Sequence, residues 1–389
     1  MDSSKPSAES SSLSSTDLRV ASVEIKTGWM SRFKWFSSIS KEEMAHSERQ
    51  VLEHGGELDF SDVKHVCLHQ TFLSSSSDDD KVTEGKRIIN TLIIDQEDVT
   101  SDARGRNNVV ICHGFGAGLG FFYRNLSPIS KTIKNSRVYA IDWLGMGRSS
   151  RPQFPMFRSD SESDVQAAIN FFLDSFEEWR SRQNGLEKFV MVGHSLGGYL
   201  AALYALRYPE RVQRLILVSP VGLPEQEAEN TTVTGRRLPS LVTRIWNSNF
   251  TPQGLLRGLG PLGARMANGY INARFASLPL PDRQLLGRYF YHISVAPPSG
   301  EFALAAILAP GAWAREPLHH RLPDLSMPCS FIYGQHDWMD KRHAEAAMSQ
   351  MREAKLYCVE GADHHLHVDN PAEFNRIISE ECEMTFSRE

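Results

Sequence analysis

The stretch KFVMVGHSLGGYLAALYALRYPE, residues 188–210, decides the fold of this 389-residue chain. An apolar run typical of a buried strand leads into Gly193-His194-Ser195-Leu196-Gly197, and a helical pattern follows directly. A G-x-S-x-G form between strand and helix is typical of a nucleophile elbow, where small residues flank a serine whose hydroxyl projects above the sheet. The alternative, a serine that caps a helix after a glycine turn, accounts for less of this context. Ser195 is therefore the candidate nucleophile.

Short apolar strands alternate with longer helical segments along most of the chain. Strand patterns fall at 63–68, 87–95, 108–113, 137–142, 188–193, 214–219, 329–334 and 355–360. Buried strands separated by helices indicate βαβ units and a mostly parallel sheet of about eight strands, with helices on both faces. The segment 161–185 carries apolar residues at helical spacing, with Ser161 or Ser163 as its candidate cap and Gly185 as its terminator.

The interval between Ser219 and Cys329 is too long for one crossover connection. Because ligands bind at the strand ends of open α/β sheets, a Gly-, Pro- and Leu-rich insertion there predicts a helical lid. The predicted organisation is a disordered N-terminus over 1–25, a candidate lipid anchor over 26–60, core over 61–219, cap over 220–325 and core again over 326–389.

A serine hydroxyl becomes a nucleophile only when a base removes its proton and a carboxylate orients that base. In an α/β hydrolase the chain order is Ser, then Asp or Glu, then His. Asp337 follows the strand CSFIYG, and its rival Asp340 would instead cap the helix that begins KRHAEAAM. His364 is the first histidine after the last strand, and His365 and His367 compete with it.

The predicted triad of Ser195, Asp337 and His364 would form a tetrahedral intermediate that needs hydrogen-bond donors. The segment HGFG, residues 113–116, follows a strand, and its glycines let the backbone approach a substrate oxygen. The backbone N–H groups of Phe115 and Leu196 are the predicted oxyanion hole. Alone, HGFG would be an ordinary glycine turn. Four features in this order predict the α/β-hydrolase fold, with a helical cap inserted before the acid loop.

Composition excludes several classes of function. A formal net charge of −5 without a long basic tract argues against nucleic acid as a partner. Five scattered cysteines without a C-x-x-C pair indicate reduced thiols in an intracellular protein, and no metal site is predicted. No apolar run approaches the ~18–20 residues of a membrane span, and the polar N-terminus lacks the core of a secretory signal.

The segment TGWMSRFKWFSSIS, residues 27–40, is a candidate membrane anchor. A helix would bring Trp29, Phe33 and Phe36 to one face, with Trp35 and two cations beside them. Aromatic rings next to cations suit the boundary between lipid headgroups and acyl chains. The alternative is that these rings pack on the surface of the domain itself.

His364 and Asp369 form an H-x-x-x-x-D pattern that is associated with glycerolipid acyltransferases. A capping role competes with it, because Asp369 or Asn370 could cap the final helix and Pro371 suits its first turn. We favour capping for Asp369 and leave acyl transfer as its second interpretation.

The chain resembles the α/β-hydrolase-domain proteins four and five, and its plant-type members most. The similar segments, spread over about 28–380, are ICHGFGAGLGFFYRN, AIDWLGMGRSSRP, DSFEEWR, GHSLGGY, ALRYPERVQRLILVSPVG, WNSNFTPQGLLRGLGPLG, FIYGQHDWMD and GADHHLHVDNP. Ser195 stands where the animal lipase coactivator of this group has asparagine. Asp363 and His365 stand where the group usually has glycine and an aromatic residue.

The resemblance implies a function in lipid metabolism. It implies phospholipase, lysophospholipase or triacylglycerol lipase activity, acylation of lysophosphatidic acid from acyl-CoA, and a tryptophan-rich lipid-droplet anchor. We therefore predict a serine hydrolase or acyltransferase of phospholipids, lysophospholipids or neutral lipids. It needs no cofactor, has acyl-CoA as a candidate co-substrate, and is cytoplasmic and peripheral on membranes or lipid droplets. The alternatives are a non-catalytic lipase coactivator, or a mitochondrial cardiolipin deacylase like a related fungal enzyme.

Overall fold

A computed structural model describes residues 39–56, 58, 60, 66–73, 87–96, 105–154, 161–226, 231–232, 234–237, 239–248 and 250–388. The candidate anchor residues Trp29, Phe33, Trp35 and Phe36 lie outside these ranges, so the anchor and the predicted disorder of 1–25 stay predictions.

Ten strands are present in the described part of the chain. They are β1 Val66–Phe72, β2 Ile88–Asp95, β3 Asn107–Cys112, β4 Ser136–Ile141, β5 Phe189–His194, β6 Val212–Val218, β7 Leu308–Ala309, β8 Trp313–Ala314, β9 Cys329–Gly334 and β10 Ala354–Val359. Eight of them form one sheet in the order β1-β2-β4-β3-β5-β6-β9-β10. Strands β4, β3, β5, β6, β9 and β10 run parallel, and β1 and β2 are antiparallel to their neighbours. The predicted fold class is confirmed.

The first strand differs from its sequence-based bounds. The prediction covers 63–68, of which 63–65 lie outside the described residues, and β1 continues from Val66 to Phe72 through His69 and Gln70. Strand β1 lies at the edge of the sheet, where polar side chains can face solvent, so hydrophobic periodicity underestimates its length.

Twelve α-helices surround the sheet in the described residues. They are α1 Lys41–Gly56, α2 Leu126–Thr132, α3 Glu162–Ser181, α4 Leu196–Arg207, α5 Ser240–Asn247, α6 Pro252–Gly258, α7 Pro261–Arg274, α8 Leu280–Val295, α9 Ala303–Ile307, α10 Arg342–Met348, α11 Leu366–Asp369 and α12 Pro371–Phe386. Ser161 caps α3 by accepting the N–H of Asp164, but α3 ends at Ser181, before Gly185. None of the described helices is long and apolar enough to span a bilayer.

Both faces of the sheet are covered. Successive residues of one strand belong to different clusters of buried side chains, since Val110 packs with α3 and α4 while Val109 and Ile111 pack with α1, α2 and α12. This alternation is the expected result of a pleated strand between two layers of helices. It leaves the carboxyl ends of β3, β5 and β9 as the place where loops can bring polar side chains together.

Helices α5–α8 lie between β6 and β9, in the interval where a lid is predicted. Helices α7 and α8 pack against each other, and α8 also packs against α1. The domain boundaries at 219 and 325 stay predictions. Residues 231–295 are part of the predicted cap over 220–325, and we refer to this part alone as the cap.

Candidate active site

The turn between β5 and α4 holds Ser195 in a backbone conformation that few side chains adopt. Its φ of 55° and ψ of −118° lie outside the common regions for a residue with a side chain. A side chain at Gly193 would strike the backbone of Gly197, and one at Gly197 would strike the carbonyl of His113. The glycines of the pattern are therefore required by close backbone approach, as the sequence predicts.

Three predicted residues from three separate loops meet at this turn. The Oγ of Ser195 lies 3.0 Å from Nε2 of His364, and Nδ1 of His364 lies 3.1 Å from Oδ1 of Asp337. The side chains of His364 and Asp337 are 9% and 1% exposed, so this hydrogen-bonded path runs through a largely dry interior. The geometry matches a serine–histidine–aspartate constellation. The catalytic roles of the three residues stay predictions.

Asp337 is held as a carboxylate. Burial alone would raise its pKa, but hydrogen bonds from His364, Ser219 and the N–H of Met339 lower the pKa below its ordinary value. The Oγ of Ser219 donates to Oδ2, and the N–H of Met339 donates to Oδ1 at 3.0 Å. An ionised Asp337 can therefore accept the Nδ1–H of His364 and leave Nε2 free to take a proton from Ser195. No pattern in the sequence identifies Ser219 as a hydrogen-bond donor to this carboxylate.

The alternative acid, Asp340, and the alternative bases, His365 and His367, are not part of this hydrogen-bonded path. Asp340 pairs with Arg342 and accepts its backbone N–H at 2.9 Å, but Lys341 is the N-cap residue of α10, so Asp340 does not cap the helix in the predicted position. His365 packs against Phe275 at a ring distance of 5.3 Å. His367 packs against the ring of Phe122 at 4.7 Å. Burial lowers the pKa of both histidines well below the ordinary value, so both are neutral.

The predicted oxyanion donors are available. The backbone N–H groups of Phe115 and Leu196 have no acceptor among the described residues, and Leu196 is the first residue of α4. A Cβ on Gly114 would lie only 2.9 Å from Cβ of Ser195, so this loop lies directly against the elbow. Free N–H groups beside the nucleophile suit the stabilisation of an oxyanion.

Two further histidines, for which the sequence predicts no role, join the loops of the site by hydrogen bonds. His113 donates from Nδ1 to the carbonyl of Gly114 and accepts the N–H of Trp143 at Nε2, which fixes the loop after β3. His194 donates from Nε2 to the carbonyl of His364 at 2.9 Å. Burial, with His364 nearby, lowers the pKa of His194 to about 3, so the ring is neutral and donates one proton. The only sequence feature that could have indicated these roles is the position of His113 in HGFG and of His194 in GHSLG.

Asp369 does not cap the final helix, so that interpretation is wrong. Asn370 is the cap, because its side chain accepts the N–H of Glu373 at 3.2 Å. Asp369 lies one position too early and binds Arg274 of α7 at 3.0 Å. It also accepts the N–H of Asp363 at 3.0 Å. The carboxylate thus joins the cap to the histidine loop, and its predicted acyl-transfer role with His364 stays a prediction.

A cavity opens beside the predicted oxyanion loop. Phe115 and Gly116 line it on the core side, and Gln253 of α6 lines it from the cap. Arg151 also lines it and donates to the carbonyls of Gly147 and Ile293 at 2.7 and 3.2 Å. Within the described residues Arg151 has no carboxylate partner, and no group of His, Cys, Asp and Glu is arranged to hold a metal ion.

The fold and this geometry define a class of protein. Residues 107–371, more than half of the chain, match the family described as alpha/beta hydrolase fold. The carboxylesterase CesB (YbfK) from Bacillus subtilis has the same fold, with a TM-score of 0.57 at 18% identity, over 87% of this chain and 96% of that one. The chain belongs to the α/β-hydrolase fold family.

Within that family it belongs to the group of the α/β-hydrolase-domain proteins four and five, as predicted. A probable 1-acylglycerol-3-phosphate O-acyltransferase of Oryza sativa subsp. japonica is 37% identical over 91% of this chain and 84% of its own length. A 1-acylglycerol-3-phosphate O-acyltransferase of Arabidopsis thaliana is 40% identical over 78% of this chain and 71% of its own. A (lyso)-N-acylphosphatidylethanolamine lipase of Bos taurus is 33% identical over 73% of this chain and 82% of its own. The two plant relatives are the more similar of these three.

Proposed function

We propose that this protein is a serine-dependent lipid ester hydrolase whose acyl-enzyme can also acylate a lysophospholipid. The observation that carries the proposal is the hydrogen-bonded path from Ser195 through His364 to Asp337. A protein that only recruits another lipase has no use for a nucleophile, base and acid in contact. The lipid nature of the substrate is supported by relatives that are named as acyltransferases and as a lipase.

The residues would act in two half-reactions. Oγ of Ser195 attacks the ester carbonyl carbon while Nε2 of His364 takes the hydroxyl proton, and Asp337 stabilises the imidazolium that forms. The N–H groups of Phe115 and Leu196 bind the negative oxygen of the tetrahedral intermediate. His364 then returns the proton to the leaving alcohol, and the C–O ester bond breaks. In the second half-reaction, water attacks the acyl-enzyme while His364 takes its proton. His364 then returns the proton to Oγ of Ser195, and the fatty acid is released.

Acyl transfer is the second candidate function, and two polar side chains near Phe115, Arg151 and Gln253, favour it. Arg151 presents a guanidinium without a carboxylate partner among the described residues, and such a group suits a phosphate. Gln253 is 8% exposed and its Oε1 has no hydrogen-bond partner, so it can accept from a substrate hydroxyl. The acceptor would be lysophosphatidic acid, whose free hydroxyl attacks the acyl-enzyme in place of water, with acyl-CoA as the acyl donor. The cavity of about 20 Å³ can take only a small part of such a lipid, and Glu301 lines it beside Arg151.

A fluorophosphonate probe tests the nucleophile. We expect the purified wild-type protein to be labelled and Ser195→Ala to be unlabelled. Ser349→Ala, which changes an exposed serine in another loop, is the matched control and should label like the wild type. An unlabelled wild type would contradict the proposal and favour the coactivator alternative.

A substrate panel then separates the activities. Lysophospholipids, phospholipids, triacylglycerol and cardiolipin are incubated with the protein, with and without acyl-CoA. Release of fatty acid without acyl-CoA indicates hydrolysis, whereas conversion of lysophosphatidic acid to phosphatidic acid only with acyl-CoA indicates transfer. A preference for cardiolipin would favour the mitochondrial deacylase. We place the protein on membranes or lipid droplets, with the aromatic segment at Trp29 as its anchor.

A further inference from the structure

Helix α7 of the cap carries large apolar side chains on its exposed side. Three residues at i, i+4 and i+8 line that side: Leu262, 57% exposed, Met266, 44% exposed, and Tyr270, 49% exposed. The buried residues of the helix are Gly263, Ala267 and Ile271, so two of the three are among the smallest residues. The hydrophobic effect favours the opposite arrangement in water. Small residues inside and large apolar residues outside are typical of a helix whose outer side meets lipid.

Exposed large hydrophobic residues are concentrated in the cap. In the described part of the chain ten large hydrophobic residues are exposed, and eight of them lie between positions 241 and 280. They are Leu241, Ile245, Phe250, Leu255, Leu262, Met266, Tyr270 and Leu280. Scattered exposed apolar residues need no explanation, but a concentration of this kind marks a surface that binds a partner.

Charge identifies the partner. Residues 231–295 contain eight arginines, no lysine and no glutamate, and Asp282 is their only acid, so eight minus one gives a formal charge of +7 in a chain of net charge −5. Two of the arginines, Arg257 and Arg274, are paired with Glu301 and Asp369 outside this segment, and Glu225, Glu227 and Glu229 directly precede it. Asp282 is buried and accepts from Tyr123 and Arg124, which lie outside the cap. Arg265 lies between Leu262 and Met266 on the exposed side of α7, and it has no carboxylate partner among the described residues.

Helix α5 repeats the pattern at its own surface. Leu241 and Ile245 are 64% and 42% exposed and are one turn apart. Arg244 is exposed beside them, again without a carboxylate partner in the described part of the chain. Two separate cap helices, α5 and α7, therefore carry an exposed arginine beside exposed apolar side chains. The cap is positively charged although the chain as a whole has a negative net charge.

We propose that the exposed side of α7, formed by Leu262, Arg265, Met266 and Tyr270, binds an anionic phospholipid surface. The apolar side chains would enter the boundary between headgroups and acyl chains, while the arginine donates to phosphate oxygens. This surface belongs to a different part of the sequence from the aromatic segment around Trp29. It does not depend on the catalytic role of Ser195.

Helix α7 connects this surface to the neighbourhood of the candidate active site. At its end Arg274 binds Asp369, and the adjoining Phe275 packs against His365 at a ring distance of 5.3 Å. His365 directly follows His364, and Asp369 is the last residue of α11, which begins just after this pair. A lipid surface bound along α7 therefore lies against the helix that ends at the candidate active site.

Vesicle flotation of the full-length protein tests the proposal. The variant Leu262→Gln/Met266→Gln/Tyr270→Gln should bind vesicles of phosphatidylcholine and phosphatidic acid at least about tenfold more weakly than the wild type. Arg265→Gln should lose about fivefold in affinity on these vesicles and nothing on phosphatidylcholine alone. Phe72→Gln is the matched control, because Phe72 is 49% exposed on the edge strand β1, and it should bind like the wild type.

Two further measurements keep the outcome unambiguous. The hydrolysis of a short soluble ester should be unchanged in the triple variant, because its side chains lie outside the site. The melting temperature reports the loss of the ring contact between Tyr270 and Phe290, whose rings are 5.3 Å apart. If the triple variant melts early, Arg244→Gln/Arg265→Gln replaces it. A wild type that fails to hydrolyse the ester would contradict the proposed function and leave the vesicle result standing.

The flotation is repeated in the Trp29→Ala/Trp35→Ala/Phe36→Ala background, so that a strong N-terminal anchor does not mask the cap. Unchanged vesicle affinity in both backgrounds would overturn the proposal. Loss of self-association in sedimentation, with vesicle binding intact, would also overturn it and assign the surface to a second copy of the chain.

Discussion

The imidazole of His194 donates its Nε2–H to the backbone carbonyl of His364 at 2.9 Å. The bond joins the elbow that carries Ser195 to the loop that carries the candidate base. The rings of the two histidines also lie 4.9 Å apart. A backbone fixed in this way leaves the side chain of His364 few orientations other than the one between Ser195 and Asp337.

Loss of this bond should lower turnover without weakening substrate binding. We expect His194→Ala to reduce kcat by about 10- to 100-fold while KM changes little, because only the alignment of His364 suffers. His194→Gln, whose amide can still donate, should recover much of kcat. The readout is steady-state kinetics on a soluble ester, with the melting temperature alongside. A lower melting temperature at unchanged kcat would assign His194 to stability alone.

Replacing the acid should distinguish two aspartates that are three positions apart. Asp337→Asn should lower kcat by several orders of magnitude, because the amide disturbs the tautomer of His364 that leaves Nε2 unprotonated. Asp340→Asn removes a partner of Arg342 at the surface and should leave kcat nearly unchanged. Circular dichroism of both variants checks that the fold survives. Equal losses in the two variants would contradict the assignment of Asp337.

The sequence predicts the parts of this site that follow a local pattern, but not those that depend on contacts between distant residues. Ser195, Asp337 and His364 each follow a buried strand, and strands are read from apolar runs, so local pattern places all three at one edge of the sheet. Ser219 and His194 contribute single hydrogen bonds across the fold, and neither residue type nor spacing identifies such bonds. Asp369 was misread for the same reason, since its partner Arg274 is 95 positions away.

The contact between Arg274 and Asp369 should show energetic coupling. The two side chains are 17% and 10% exposed, so solvent screens the pair only in part. A double-mutant cycle of Arg274→Gln and Asp369→Asn should give a coupling of about 1 kcal/mol in the free energy of unfolding.

Asn370→Ala is the control for this cycle. It removes the true helix cap and should cost about 1 kcal/mol in the free energy of unfolding, without coupling to Arg274→Gln. Chemical denaturation of the four cycle variants and this control measures both quantities. Additive effects of Arg274→Gln and Asp369→Asn would mean that the ion pair contributes nothing to stability.

The buried histidines should make the protein sensitive to acid. Burial lowers the pKa of His113, His194, His365 and His367 below the ordinary value of 6.5, to about 3 for His194. The unfolded chain binds a proton at each site as the pH falls through 6.5, whereas the folded chain does not. The free energy of unfolding therefore has its full value above pH 6.5 and falls by up to about 1.4 kcal/mol per pH unit for each group below it.

Replacing His367 by phenylalanine removes one such group, whose Nδ1 has no hydrogen-bond partner, so the melting temperature should decline less steeply between pH 6.5 and 5. His320→Gln changes a histidine whose side chain is 70% exposed and should leave the slope as in the wild type. A slope that is the same in wild type and His367→Phe would show that His367 takes up its proton in the folded state.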